Sequence, residues 1–165
     1  MRRGHLALSK AAPEALLEVA RFLDKYGYGA FPATSFTRFF QKPAYHFLSL
    51  SNPPSNGAEF QAGCLLSLSG DEAEIIEIAV AGAFQNQGYG TALLGHVIDF
   101  VRDQGHQRLF LEVAANNHPA LALYHRQQFQ ECGRRIGYYQ PSVDENDKII
   151  AEMPKIDALI MELSL

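Results

Sequence analysis

Tryptophan is absent from this chain of 165 residues, and cysteine occurs only twice, at Cys64 and Cys132. Two cysteines so far apart, with no local partner, argue against a disulfide framework or a cysteine-bound zinc; free thiols are expected. Basic charge is not in excess either: 14 Lys and Arg stand against 18 Asp and Glu, a formal net charge of −4. Binding along a phosphate backbone needs a basic stripe, so nucleic acid is not an expected partner. No apolar run approaches the ~20 residues of a membrane helix. Met1-Arg2-Arg3 leads into Lys10, Pro13 and Glu14 rather than into the apolar stretch of a secretory signal. A cytoplasmic protein without membrane contact is therefore expected. Of the six histidines, His118 and His125 stand seven apart, not the four that lets two imidazoles share a metal, and no metal is expected.

What is present is an ordinary core-forming composition, 47% hydrophobic and 19% charged, with no internal repeat or low-complexity tract. His5 to Leu8 can form a first strand, and Pro13 opens a helix with a core face of Leu16, Leu17, Val19, Ala20 and Leu23, ending near Tyr26-Gly27-Tyr28-Gly29. Thr34 or Ser35 starts a short helix carrying Phe36, Phe39 and Phe40. Tyr45–Ser51 and Glu59–Ser69 read as strands separated by the turn cluster 52–57, and Gly70-Asp71 turns the chain into the β-branched run Ile75, Ile76, Ile78, Val80. Short turns between successive strands suggest an antiparallel meander. The polar segment 140–155, with Pro141 and Pro154, reads as a mobile loop before a last strand at 156–165.

The stretch Ile75 to Tyr139 carries the chemistry. After the strand and the loop 81–87, Gly88-Tyr89-Gly90 opens a helix whose Leu93, Leu94, Val97, Ile98 and Val101 fall on one face; Gly105 sits where a helix end favours positive φ. A second strand runs from Arg108 to Val113. Asn116 or Asn117 then caps another helix, with Pro119 in its first turn. Strand, glycine loop and helix start together build either a plain turn or an anion site, because unpaired N–H groups and the positive end of the helix dipole face outward there. The glycines lack the Lys-Ser/Thr of a P-loop and the third glycine of a dinucleotide fingerprint.

Gln85-x-x-Gly88-x-Gly90 does resemble the acetyl-CoA pyrophosphate signature of the GCN5-related N-acetyltransferases (GNAT). The likeness continues through Leu111-Glu112-Val113, Asn117, Ala122-Leu123-Tyr124, Phe129, Arg135, Tyr138-Tyr139 and Asp157-Ala158-Leu159-Ile160-Met161, in the order of the RimI-type branch, the ribosomal-protein-alanine N-acetyltransferases. That resemblance implies a GNAT α/β (α+β) fold: a mixed, largely antiparallel central sheet of about seven strands with helices on both faces. It implies a single domain, with 1–74 bordering the acceptor site and 75–139 forming the acetyl-CoA-binding and catalytic core. Ile78-Ala79-Val80 would hold the pantetheine arm. Gln85, Asn86, Gln87, Gly88, Tyr89, Gly90 and Thr91 would grip the pyrophosphate, and Asn117 and Tyr124 would approach the coenzyme. Ala30-Phe31-Pro32 resembles a segment of that branch beside the acceptor, but the tryptophan expected next is Ala33. The rings of Tyr26, Tyr28, Phe31, Phe36, Phe39 and Phe40 either border that site or fill the core.

Acetyl transfer to an amine needs a neutral nucleophile, a stabilised carbonyl oxygen and a proton for the departing thiolate. A terminal α-amine, with pKa about 8, asks less of a base than a lysine at about 10.4. Glu112 is the candidate base: in the apolar strand Leu109-Phe110-Leu111-Glu112-Val113 a carboxylate is either paired, useful or on an exposed edge. Tyr124 is the candidate acid, or else a core tyrosine. The acceptor implied is a protein N-terminal alanine; a small amine (amino acid, polyamine or drug) and a non-catalytic acetyl-CoA-binding module are the alternatives.

Overall fold

The computed structural model describes residues 5–9, 13–27, 42–51, 60–139 and 155–165. Seven strands lie among them: β1 (His5–Ser9), β2 (Tyr45–Ser51), β3 (Phe60–Ser69), β4 (Glu72–Val80), β5 (Arg108–Ala114), β6 (Gln130–Tyr139) and β7 (Ile156–Ser164). The helices are α1 (Pro13–Tyr26), α2 (Tyr89–Asp103) and α3 (His118–Arg126), with one 3-10 turn at Gly82–Phe84. The expected short helix after Thr34, the turn cluster 52–57 and the loop 140–154 fall outside the described residues. So do Tyr28 and the aromatic residues from Phe31 to Phe40, and with them Ala30-Phe31-Pro32.

The chain divides into two compact units, Met1–Leu109 with Leu165, and Phe110–Ser164. In the first, β1, β2, β3 and β4 follow one another as the antiparallel meander that the short turns imply. Gly70 makes the β3–β4 turn at φ +58, a left-handed conformation that costs glycine nothing. β4 begins earlier than the β-branched run, at Glu72, because Glu72, Ala73 and Glu74 pair with Ser69, Leu68 and Ser67.

Neighbouring residues of a strand point to opposite faces, and here each face receives a helix. Phe47 joins Val19, Ala20, Phe22 and Leu23 of α1 in one core that also takes in Phe60, Leu65, Ala79 and Ala81. His46, its neighbour, lies on the other side with its ring 5.7 Å from that of Phe100 in α2. The α2 face read from the 3.6-residue period (Leu93, Leu94, Val97, Ile98, Val101) is buried in full, each side chain contributing on the order of 1.5–3 kcal/mol. Tyr26 packs on the α1 core, 5.3 Å from the Phe22 ring, so this member of the aromatic group fills the helix–sheet interface. Gly63 is what lets the Phe47 ring lie down on the sheet: a Cβ there would run into Phe47 Cζ, stand 2.9 Å from Cε2 and 3.1 Å from Phe22 Cε1.

In the second unit the strand order is β5-β7-β6, with β6 outermost and antiparallel to β7. Phe129 and Met161 are fully buried there, whereas Ile136 of β6 is 88% exposed. Among the described residues no helix is long and apolar enough to cross a membrane. The mixed α/β fold on about seven largely antiparallel strands is thus the one the resemblance implied.

Gly63→Ala should cost about 1–3 kcal/mol by overpacking. A thermal melt of the variant is expected to fall by several degrees, and an unchanged midpoint would contradict this packing.

Candidate functional site

The loop after β4 is built to expose amides. Gly82–Phe84 form the 3-10 turn, Asn86 takes φ +58 and Gly88 takes φ +88 as the residue capping α2. Among the described residues, no backbone carbonyl accepts the N–H groups of residues 86–91; the first bond of α2 runs from Ala92 N–H to the Gly88 carbonyl at 3.0 Å. No acidic residue stands in the first turn of α2, and no side chain caps it. A row of bare donors at the positive end of a fifteen-residue helix is chemically suited to an anion. Gln85 and Gln87 turn their amides inward instead: Gln85 Nε2 donates to the Val80 carbonyl at 3.1 Å and Gln87 Nε2 to the Ala83 carbonyl at 2.7 Å. Gln85 thereby ties the loop to the end of β4. Phe84 and Tyr89 stack edge to face across the loop, centroids 5.2 Å apart. In β4, Ala79 is buried in the α1 core, while Ile78 and Val80 are half-buried. Gly90 and Thr91 form the first turn of α2, Thr91 exposed.

Glu77 was not singled out from the sequence, yet it is one of the few buried polar residues described, 7% exposed. The Cys64 thiol is pushed well up, first by burial and then by the charge of Glu77. The only sequence signal for Glu77 is its place between Ile76 and Ile78, where a strand face alternates.

In the second unit Glu112 is half-buried in β5 between the buried Leu111 and Val113. Glu112 is paired: its Oε2 lies 3.2 Å from Arg135 Nη1, with 24% of the glutamate side chain exposed. Arg135 in turn stands over the Tyr138 ring, its Cζ 5.1 Å from the centroid. Asn117 is the residue that caps α3: its Oδ1 accepts the Ala120 N–H at 3.3 Å, with Pro119 following. Tyr124 is 5% exposed, its ring 5.9 Å from Phe129.

A bulge in β6 sets the Arg135 geometry. Arg135 pairs with Ala158 and Tyr139 with Ile156, so three residues of β6 oppose Asp157 alone. The excess is taken up at Gly137, φ +61, whose N–H donates to Asp157 Oδ1 at 2.8 Å. Asp157 Oδ2 accepts from Arg134 Nη1 at 3.2 Å, and its carbonyl accepts the Ala115 N–H at 2.9 Å. Successive arginines on a strand face opposite ways: Arg134 goes to Glu131 and Asp157, Arg135 to Glu112. Asp157 enters the resemblance only as the start of the last strand; its closing of the bulge, and the pairing of Arg135 with Glu112, 23 residues away, are not readable from the sequence.

The N–H of Gly137, and next the Arg134 guanidinium, hold the Asp157 carboxyl below the usual carboxylate range. A depressed folded-state pKa contributes stability that is complete above the unfolded value, about 3.9, and fades as pH falls through the folded one. Asp157→Asn should therefore melt below the wild type at pH 7, with the gap closing below about pH 4. Melting curves between pH 7 and pH 2.5 measure this, and a gap independent of pH would contradict it.

Comparison with known proteins completes the description. The model of a family described as "Acetyltransferase (GNAT) family" matches residues 16–129. An Escherichia coli (strain K12) protein named ribosomal protein bS18-alanine N-acetyltransferase is 43% identical over 84 residues, 51% of this chain and 57% of that protein, so the chain spans little more than half the length of this curated relative. The streptothricin acetyltransferase of Streptomyces lavendulae is 37% identical over 73 residues, 44% of this chain and 39% of its own. The crystal structure of the Escherichia coli ribosomal-protein-alanine N-acetyltransferase superposes with a TM-score of 0.74 at 32% identity, covering 97% of this chain and 94% of that one.

Proposed function

The chain belongs to the GNAT acetyltransferase family, and on that premise we propose that it moves the acetyl group of acetyl-CoA to the N-terminal α-amine of an alanine in a ribosomal or other protein. The observation that carries this reading is the row of unaccepted N–H groups over residues 86–91 at the start of α2. A diphosphate spans such a row, and no carboxylate in the first turn opposes it. Asn86, Gln87, Gly88, Tyr89, Gly90 and Thr91 take the pyrophosphate, chiefly through main-chain donors, while Gln85, whose own N–H and amide are bonded within the loop, serves the coenzyme by holding that loop to β4. The backbone of Ile78, Ala79 and Val80 takes the pantetheine arm, and the Val80 N–H polarises the thioester carbonyl. The family match runs from residue 16 to 129 and so takes in parts of both units, which supports treating the chain as one acetyltransferase domain.

In this mechanism Glu112, directly or through a water, accepts a proton from the acceptor ammonium. The freed amine attacks the thioester carbon, forming the C–N bond. The tetrahedral species sheds its second amine proton to solvent and collapses with cleavage of the C–S bond. Tyr124 donates its phenolic proton to the departing thiolate, whose thiol has the lower pKa of the two (about 8.5 against about 10), and regains one from solvent. The products are the amide and free coenzyme. Asn117 caps the N-terminus of α3, the helix that carries Tyr124.

The alanine acceptor is supported by the name of the Escherichia coli relative. The resemblance to a streptothricin acetyltransferase favours a second reading, the same chemistry on a small amine. Incubation with acetyl-CoA and a panel of alanine-initiated peptides, other peptides and small amines, followed by mass spectrometry, separates them. Label on alanine peptides alone is expected; label on small amines alone selects the second reading, and tight coenzyme binding without turnover removes both. Gly88→Val should weaken acetyl-CoA binding about tenfold or more in titration calorimetry, the loss of one charge-assisted bond. Tyr124→Phe should lower kcat about 10²-fold while leaving that affinity near wild type.

A further inference from the structure

Glu112 offers its two oxygens differently. Oε2 is the oxygen turned to Arg135, an ion pair at 3.2 Å from Nη1, whereas Oε1 has no such partner among the described residues. A carboxylate on a strand rotates about its last bonds unless something stops it, and a proton acceptor works only when its lone pair is aimed. We propose that Arg135 is a positioning residue of the acetyl-transfer reaction: it clamps one oxygen of Glu112 and so aims the other at the acceptor amine. This inference rests on Glu112 being the base.

The clamp is itself braced. The Tyr138 ring lies 5.1 Å beneath the Arg135 guanidinium, and a cation over an aromatic face is held without spending any of its N–H donors. Tyr138 reaches that place because the bulge inserts two extra residues between Arg135 and Tyr139, with Gly137 turned to φ +61 and tied to Asp157. In a regular strand residues 135 and 138 would point to opposite faces. The bulge brings them to the same side. Arg134, one residue earlier, is committed to Glu131 and Asp157 and cannot take over. Arg135 is roughly half exposed, so its loss removes little buried surface.

The test compares steady-state kinetics of Arg135→Ala, Arg135→Lys, Glu112→Gln and Arg135→Ala/Glu112→Gln, using acetyl-CoA with an alanine-initiated peptide and with spermidine in parallel. Arg135→Ala is expected to lower kcat about tenfold or more while leaving the KM for acetyl-CoA within about twofold. Arg135→Lys, which still places a cation beside Oε2, should recover a substantial part of the loss. In the Glu112→Gln background Arg135→Ala should have no further effect, because two residues acting through one atom are not additive. Wild-type turnover by Arg135→Ala alongside collapse of Glu112→Gln overturns the clamp and leaves the base in place. Wild-type turnover by Glu112→Gln removes the base, and the clamp with it. If Arg135→Ala fails to fold, Tyr138→Leu serves: it leaves every ion pair and should lower kcat about two- to fivefold with unchanged coenzyme KM, and full activity would overturn the proposal.

Discussion

The Asp157 carboxylate is the point on which the second unit turns. One oxygen closes the β6 bulge through Gly137 and the other holds Arg134, while the same residue's carbonyl anchors Ala115 at the approach to α3. Side chains of a strand alternate, so an uncompensated extra residue would reverse every side chain beyond it. The bulge adds two, which restores the phase by Tyr139 and leaves a local distortion between. That distortion decides which way Tyr138 faces, hence where Arg135 rests, hence how Glu112 is held. A single acceptor thus fixes one of the two register shifts of β6 and the geometry beside the candidate base.

The first unit depends on a different economy, that of leaving space. Gly63 leaves room for Phe47, and the aromatic rings of Phe22, Phe47 and Phe60 close the α1 side of the sheet edge to face. Gly88 leaves the opening of α2 uncovered: nothing lies within 4 Å of where its Cβ would stand. In one place the missing side chain serves packing. In the other it serves exposure, and the left-handed φ of Gly88 and Asn86 keeps the amides of the loop from closing on their own carbonyls.

Much of this was legible in the residues. The buried face of α2 follows from its 3.6-residue period, β2 from its β-rich run between turns, and the α3 cap from the asparagine pair before Pro119, of which the structure selects Asn117. β6 was not read as a strand from its own residues. Gln130–Tyr139 has two glycines, three charges and no alternation, most of it is exposed, and it is a strand because β7 pairs with it. Glu112 was legible as a carboxylate out of place, but the cation that answers it lies across the sheet rather than along the chain. Glu77 escaped because burial of a strand glutamate depends on what covers that face, which local sequence does not state.

Among the described residues β6 also ends the strand order, with no further strand paired along its outer rim. Such a rim, with Ile136 nearly bare upon it, is the kind of template on which chains recruit one another into aggregates. Glu131, Arg134 and Arg135 place charge along that rim, and the twist at Gly137 breaks its straightness before a full repeat of free donors and acceptors can form. The irregularity therefore also acts as a gatekeeper, denying a second molecule the flat edge it would need to add a strand.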